Sequence, residues 1–335
     1  MATSRHRVLA LALSVASGAG LWNAAGCRAA NPAADAQGSA RPAVTFRHEP
    51  NVLHIEVGGR PFADYRYADP QIPRPYFTHV MTPAGSRVTR NHPPDQVNDL
   101  TDHATMHPGI WMAFGDLSGN DYWRLKAKVE HERFTSSPEG GAGMGRFAVR
   151  NYYLKAASTD RIASEEVSYT ILAIREGYLL VWDSTFAPYG EMEAIVFGDQ
   201  EEMGLGIRVQ TRLAEQFGGG ITDAAGRTGA KEIWGTQSDW IDYSGTLEGK
   251  WIGLTVMPHP ANFRKSWYHA RAYGFIAANP FGRAAMKAGP KSEVVVKRGD
   301  TLRLRYGVLV HSADSKQQTN IAAAYQQYLG AAGAP

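Results

Sequence analysis

Over most of the chain, hydrophobic and polar positions alternate one for one in short runs. In residues 300–311, Leu302, Leu304, Tyr306, Val308 and Val310 alternate with Arg303, Arg305, Gly307, Leu309 and His311. Successive side chains of an extended chain point to opposite faces, so a period of two predicts a strand with one buried face. Similar runs occupy residues 52–57, 123–134, 147–155, 167–174, 178–186, 193–197 and 251–257. Turn formers separate several of them, among them Gly58-Gly59, Glu176-Gly177 and Arg298-Gly299-Asp300. The glycine-rich runs at 140–145 and 218–220 read as loops. Only the tail, residues 315–329, has helical spacing, with Ile321, Ala324, Tyr325 and Tyr328 on one face.

Many closely spaced strands without alternating helices argue against a parallel α/β fold. They predict an all-β protein, a large antiparallel two-sheet β-sandwich with a short C-terminal helix. Residues 44–331 are too many for one immunoglobulin-like module and contain no linker, so they are expected to form a single domain.

The first 26 residues differ in kind. Arg5 and Arg7 precede an apolar stretch at 8–21, and small residues follow in Asn23-Ala24-Ala25-Gly26-Cys27, the pattern of a signal peptide. Cys27, the sole cysteine, directly follows Ala-Gly, which resembles a lipoprotein cleavage box. Cys27 is then expected to carry lipid, with residues 27–43 as a disordered tether. The alternative is an unmodified cysteine beside an ordinary cleavage site near Ala30. Either way the chain is expected to be exported to the periplasm or cell surface; on the lipoprotein reading it touches a membrane only through a lipid on Cys27.

Composition removes several functions. Lys plus Arg number 35 against 32 Asp plus Glu, a net charge of +3, which does not support nucleic-acid binding. One cysteine excludes a disulfide framework and any cysteine-built metal centre. No Gly-x-Ser-x-Gly elbow, phosphate loop or dinucleotide fingerprint is present, and no cofactor is expected.

Two stretches break the strand rhythm and concentrate tryptophan, histidine and charge. The first, 76–123, holds His79, His92, His103, His107, Trp111, Asp116, Asp121 and Trp123. The second, 201–281, holds Glu201, Glu202, Arg208, Trp234, Trp240, His259, Asn262, Trp267, His269, Arg271, Tyr273 and Asn279. Aromatic faces beside Arg, Asn, Asp and His suit sugars: the ring covers the apolar face of a pyranose and the polar tips take its hydroxyls. Trp111 reads as core filling, whereas Trp267 reads as exposed to ligand. His103-x3-His107 has the spacing of two metal ligands on a helix. With Pro108-Gly109 next and no Glu between them, neutral histidines acting as acid or donor are favoured, and no metal site is predicted.

The most specific text is Glu202-Met-Gly204-Leu-Gly206-Ile-Arg208, Trp240-Ile-Asp242-Tyr243, Met-Pro-His259-Pro-Ala-Asn262 and His269-Ala-Arg271-Ala-Tyr273, ending at Asn279-Pro-Phe281-Gly282. With Gly109-Ile-Trp111-Met-Ala-Phe-Gly115-Asp116 through Asp121-Tyr-Trp123, this order resembles a family of exported bacterial proteins of unknown function that carries the labels "PmoA family" and "methane oxygenase". The label does not suit a chain with no membrane span beyond its signal. The resemblance implies instead a supersandwich like that of galactose mutarotase and related sugar-active proteins. Relatives carry an Asp-His-Pro-His-His-Arg run after Pro-Pro; here only His103 and His107 remain, and Pro108 replaces the arginine.

The expected function is therefore an extracytoplasmic carbohydrate-active enzyme, a glycoside hydrolase or lyase working by carboxylate and histidine acid–base chemistry. A mutarotase variant would pair one base with a histidine acid. The alternatives are a non-catalytic sugar-binding lipoprotein and a metal-dependent oxygenase. Glu202, His269, His259 and His107 are the candidate catalytic residues. His103, Asp116, Arg208, Trp240, Asn262, Trp267, Arg271, Tyr273 and Asn279 are the candidate sugar contacts. Gly204 and Gly206 single out Glu202, because they admit close approach of backbone or ligand. Arg271 either neutralises a uronate or pairs with an acid of the cleft wall.

Overall fold

The structure is a computed structural model in which residues 41–333 are described. The signal segment, Cys27 and the tether up to residue 40 lie outside the described residues. Eighteen strands carry the fold: β1 (Ala43–Glu49), β2 (Val52–Val57), β3 (Arg60–Arg66), β4 (Tyr76–Thr78), β5 (Ile110–Phe114), β6 (Val129–Ala142), β7 (Met144–Leu154), β8 (Arg161–Ile174), β9 (Gly177–Pro188), β10 (Ala194–Phe197), β11 (Met203–Arg208), β12 (Gly220–Asp223), β13 (Ile241–Leu247), β14 (Lys250–Pro258), β15 (Trp267–Arg271), β16 (Phe275–Asn279), β17 (Val294–Lys297) and β18 (Leu302–Ala313). A short helix α1 (Ala230–Ile233) and the C-terminal α2 (Ile321–Ala331) complete it.

Sixteen strands form one antiparallel ladder, β12-β13-β14-β18-β9-β8-β7-β6-β1-β2-β3-β4-β5-β11-β16-β15, beside a two-stranded sheet of β10 and β17. At β1 and β6 the ladder narrows to two residue pairs, Ala43 with Ala142 and Val44 with Gly141. The ladder folds back on itself, so strands remote within it face each other. Tyr65 on β3 meets Tyr169 on β8 at 5.1 Å, Phe77 meets Trp182 at 5.7 Å, and Phe114 on β5 meets Phe186 on β9 at 5.4 Å. The two sheets expected from the sequence are the two layers of this one sheet, with the main core between them.

Local differences from the sequence reading have physical causes. Residues 123–128 are turns, because Asp121 gathers the chain through its carbonyl, which accepts from Lys126 and Ala127 (3.0 Å each); the strand starts at Val129. The glycine run at 140–145 is a hairpin tip, Gly140 opposite Gly145, with Gly143 at φ 76° making the turn. Helix α2 starts later than its spacing suggested, where the Asn320 side chain accepts from the Ala323 N–H at 3.0 Å. Tyr328 and Ala324 bury its apolar face on the outer side of β9, β14 and β18. No helix among the described residues is long and apolar enough to cross a membrane.

Alternation on β5, β11, β16 and β15 builds the face that matters for function. Ile110, Met112 and Phe114, Leu205 and Ile207, Ile276 and Ala278, and Tyr268 and Ala270 point into the main core. The intervening residues therefore share the outer face: Trp111 and Ala113, Gly204, Gly206 and Arg208, Phe275 and Ala277, His269 and Arg271. Register aligns Trp111, Gly206, Ala277 and His269 in one row across four strands. Gly206 is required there, since a Cβ would stand 2.5–2.7 Å from the Trp111 and Trp123 rings. Gly206→Ala is expected to lower unfolding free energy by about 2 kcal/mol through overpacking. Gly220→Ala, where a Cβ meets nothing within 4 Å, is expected to change it by less than about 0.5 kcal/mol; chemical denaturation of the two variants measures the contrast.

Candidate functional site

Three buried arginines hold an irregular loop down onto this outer face. Arg90, 1% exposed, donates to the carbonyls of Leu100 (2.7 Å), Asp102 (2.6 Å), His103 (3.2 Å) and His107 (3.2 Å). Arg208 forms a bidentate pair with Asp102 at 2.6 and 2.9 Å, and its guanidinium lies 4.4 Å from the centre of the Tyr273 ring. Arg74 donates to the carbonyls of Tyr122 (2.9 Å), Trp123 (2.8 Å) and Met106, and lies over Trp111. Burial pulls Arg90 down to about 10 and Arg74 to about 9, which leaves both charged at neutral pH. Each bond is charge-assisted, so the loop is fixed by groups that cannot leave without stranding a buried cation.

One helical turn in this loop sets the two histidines. The His107 N–H donates to the His103 carbonyl at 3.0 Å. The rings stack at 4.6 Å, and His107 continues the stack onto Phe275 (4.7 Å) and Trp111 (5.0 Å). They share a face, as the spacing predicted, but lie ring on ring instead of converging on a common point.

The loop and the sheet face enclose a hollow of about 80 Å³ lined by His103, His107, Trp123, Arg124, Glu202, His269 and Tyr273, with Met106 and Phe275. At about 30 Å³ per water it admits two or three waters or one end of a sugar ring. His269, 3% exposed, stands edge-on to Phe275 at 4.9 Å, and neither ring nitrogen has a hydrogen-bond partner. Its nearest acid, Glu201, is 3.9 Å away and is itself held by Trp234 Nε1–H (2.8 Å) and Arg271 (3.1 Å). Glu202 pairs with Arg124. Burial pushes the Glu202 carboxyl up, an effect that Arg124 opposes and Glu201 reinforces. Burial also drives His269 down to about 4 and His107 well below the usual imidazole range. At neutral pH the site thus presents neutral imidazoles beside a carboxyl that holds its proton more readily than usual.

Ligating atoms of Glu201, Glu202 and His269 all lie within 4.8 Å of one another, close enough to hold a metal. Arg271 and Arg124 already engage the two carboxylates, so a divalent ion would meet compensated charge and two neighbouring guanidinium groups. The arrangement suits proton transfer better than chelation.

Of the residues singled out from sequence, His103, His107, Glu202, His269 and Tyr273 line the hollow. Arg208 and Arg271 brace it through Asp102 and Glu201. Asn279 positions the acidic pair by donating to the carbonyls of Gln200 (2.8 Å) and Glu201 (3.0 Å). The other five stand elsewhere. His259 packs edge-on against Tyr328 under α2. Asn262 pairs with the Arg305 backbone at 2.8 and 2.9 Å. Trp240 packs against the α2 patch. Trp267, expected to face ligand, is 7% exposed and lies beside Arg264. Asp116 accepts from the Gly119 N–H at 2.9 Å to form a turn. Gly204 and Gly206 admit the Ala278 carbonyl and the two indoles, not a ligand.

Sequence reasoning missed Arg74, Arg90 and Arg124, and it gave Glu201 no role. Arg124 directly follows the Asp121-Tyr-Trp123 signature, the one local signal that could have found it.

Two outcomes follow from this geometry. Asp102→Ala strands Arg208, and because Asp102 is 36% exposed the expected loss is about 2 kcal/mol, below the range for a fully buried pair; urea denaturation reads it. His92, lowered to about 4 by burial, and His269 both have folded pKa values below the ordinary 6.5. Between pH 6.5 and 4 the unfolded chain binds more protons, so their contribution is fully present above 6.5 and is lost as pH falls toward 4. His269→Gln is expected to lose less melting temperature than the native chain across that interval.

No curated protein matches the chain. Among solved structures it is similar to the galactosidase domain of the α-galactosidase–sucrose kinase AgaSK, at 8% identity and a TM-score of 0.39, covering 81% of this chain and 42% of that one. It is also similar to a galactose mutarotase-like protein from Lactobacillus casei ATCC 334, at 10% identity and a TM-score of 0.34, covering 80% of this chain and all of the other. The chain spans less than half the length of the AgaSK chain. Likenesses at these scores add nothing to the two-layer fold, which rests on strand order and on the contacts between layers. Residues 52–326 match the profile of DUF6807, described as a family of unknown function, and the span contains both signature stretches and every residue of the hollow: the chain belongs to this family.

Proposed function

We propose that the hollow is the active site of a carbohydrate-active enzyme that moves protons at the anomeric carbon of a sugar, with Glu202 as donor and His269 as acceptor. The observation that carries this reading is His269, a buried imidazole with two unpartnered nitrogens, one of them within 4.8 Å of a Glu202 oxygen. Two oxygens share the anomeric carbon, so a donor and an acceptor this close can each reach one of them. His269 takes the proton of the anomeric hydroxyl while Glu202 protonates the ring oxygen. The bond from that carbon to the ring oxygen breaks, a carbonyl forms, and reclosure on the other face gives the other anomer with charge conserved. Trp123, Tyr273 and Phe275 contribute apolar ring surface to the wall of the hollow, suited to the apolar side of a sugar.

Retaining hydrolysis is a second reading, favoured by one observation. The Glu201 and Glu202 oxygens approach within 4.8 Å, near the separation of about 5–5.5 Å used by retaining glycosidases. Elimination from a uronate is disfavoured, because Arg124, Arg208 and Arg271 are each paired with an acid. With a signal peptide at 1–26 and a lipid on Cys27, the reaction would take place outside the inner membrane.

Incubation with a panel of sugars, followed by NMR of anomer exchange and mass spectrometry, tests the proposal. Faster anomer exchange without mass change is expected, and addition of water identifies hydrolysis. Glu202→Gln and His269→Ala should each lower turnover by about a hundredfold or more. Asp239→Asn, which breaks only an exposed pair with Lys265, should leave it unchanged. The rate should fall as pH rises past the raised Glu202 value and as it drops below that of His269. Near-native turnover in either hollow variant removes that residue from the mechanism.

A further inference from the structure

A second hollow, a shallow depression open to solvent that spans about 630 Å³, is lined by Lys126, Lys128 and Lys155 with Leu125, Ser158 and Thr159, and by no acid. We infer that it binds an anionic group of the substrate, which makes that substrate an acidic saccharide bearing carboxylate or sulfate; this rests on the reading of the first hollow as a sugar site.

The two hollows are lined by consecutive residues of the chain. Arg124 lines the catalytic hollow, and Leu125, next in the chain, lines the cationic one. Leu125 has φ 62°, the left-handed region that a leucine rarely adopts, and it packs against the patch containing Trp111, Trp123 and Phe275. The turn that begins at Asp121 therefore presents Arg124 to one space and Lys126 and Lys128 to the next.

The lysines are poorly neutralised. Lys126 Nζ is 3.7 Å from Asp121, whose same oxygen accepts from Arg124 at 3.2 Å. Lys128 Nζ is 3.6 Å from Glu130, which Arg161 engages at 3.0 Å. No acidic partner of Lys155 is found among the described residues. Three such ammonium groups in one hollow of a chain with net charge +3 are a local concentration of charge, and flexible ammonium donors suit a carboxylate or sulfate that approaches as a point charge. Size agrees. The catalytic hollow admits only the end of a ring, so the rest of a saccharide must lie outside it, and the adjoining space is large enough for a further sugar unit.

Calorimetric titration of the full chain with a neutral xylo-oligosaccharide, an oligogalacturonate and a sulfated oligosaccharide tests this at about 50 and about 300 mM salt. At the lower salt one or both anionic ligands should bind about tenfold or more tighter than the neutral one, an advantage that shrinks at the higher salt. The tighter of the two identifies the anion. The double variant Lys128→Gln, Lys155→Gln should lose that advantage and keep its melting temperature. Equal affinity for neutral and anionic ligands, or a double variant that binds as the native chain does, overturns the inference. The catalytic reading fails separately: lysine-dependent anion binding with no turnover of any sugar contradicts it and supports the anion site, whereas turnover of neutral sugars alone overturns the anion site and leaves the catalytic reading standing.

Discussion

The site depends on buried guanidinium groups bonded to backbone carbonyls. Arg74, Arg90 and Arg208 are each at most 2% exposed. Between them they engage the carbonyls of residues 100, 102, 103, 106, 107, 122 and 123 and the Asp102 carboxylate. A loop without regular structure has no ladder to satisfy its backbone, and these three side chains supply the donors that a neighbouring strand would otherwise provide. They bring residues near 107 against a sheet face that carries residue 269. Removing one partner leaves a charge or a carbonyl buried and unpaired, so the geometry is strongly determined.

The chemistry follows from that closure. Burial disfavours the charged form of His107 and His269, which keeps both imidazoles neutral, and the same burial raises the Glu202 carboxyl. The arginines at the wall are engaged by its acids, while Lys126 and Lys128, whose acids are shared with arginines, and Lys155 line the neighbouring hollow. On the two proposals above, proton transfer and anion binding would fall to separate spaces on either side of the 123–128 turn.

Much of this was legible in the chain. Alternation at 302–310 gave a strand, and the spacing of Ala324 and Tyr328 gave the helix that covers it. What period two cannot supply is which side of a two-layer sheet a given face meets. His259 and His269 look alike in sequence, each in an aromatic, strand-rich context, yet one lies under the C-terminal helix and the other in the hollow. Trp267 shares the parity of His269 but is covered by long-range packing beside Arg264. Arg74 and Arg90 were invisible because their partners are carbonyls, and a carbonyl leaves no mark on residue type. The glycines were read as places where backbone or ligand approaches closely; backbone does so at Gly204, and at Gly206 it is indole rings.

The central claim is that loop and sheet close over a small space in which His269 is neutral beside Glu202. An NMR titration of the histidine rings in the full chain tests it most directly. The account predicts that His107 and His269 remain neutral down to pH values well below the ordinary 6.5 and that Glu202→Gln shifts the His269 transition. Transitions of both rings near 6.5, insensitive to that substitution, would show two solvated imidazoles and contradict it.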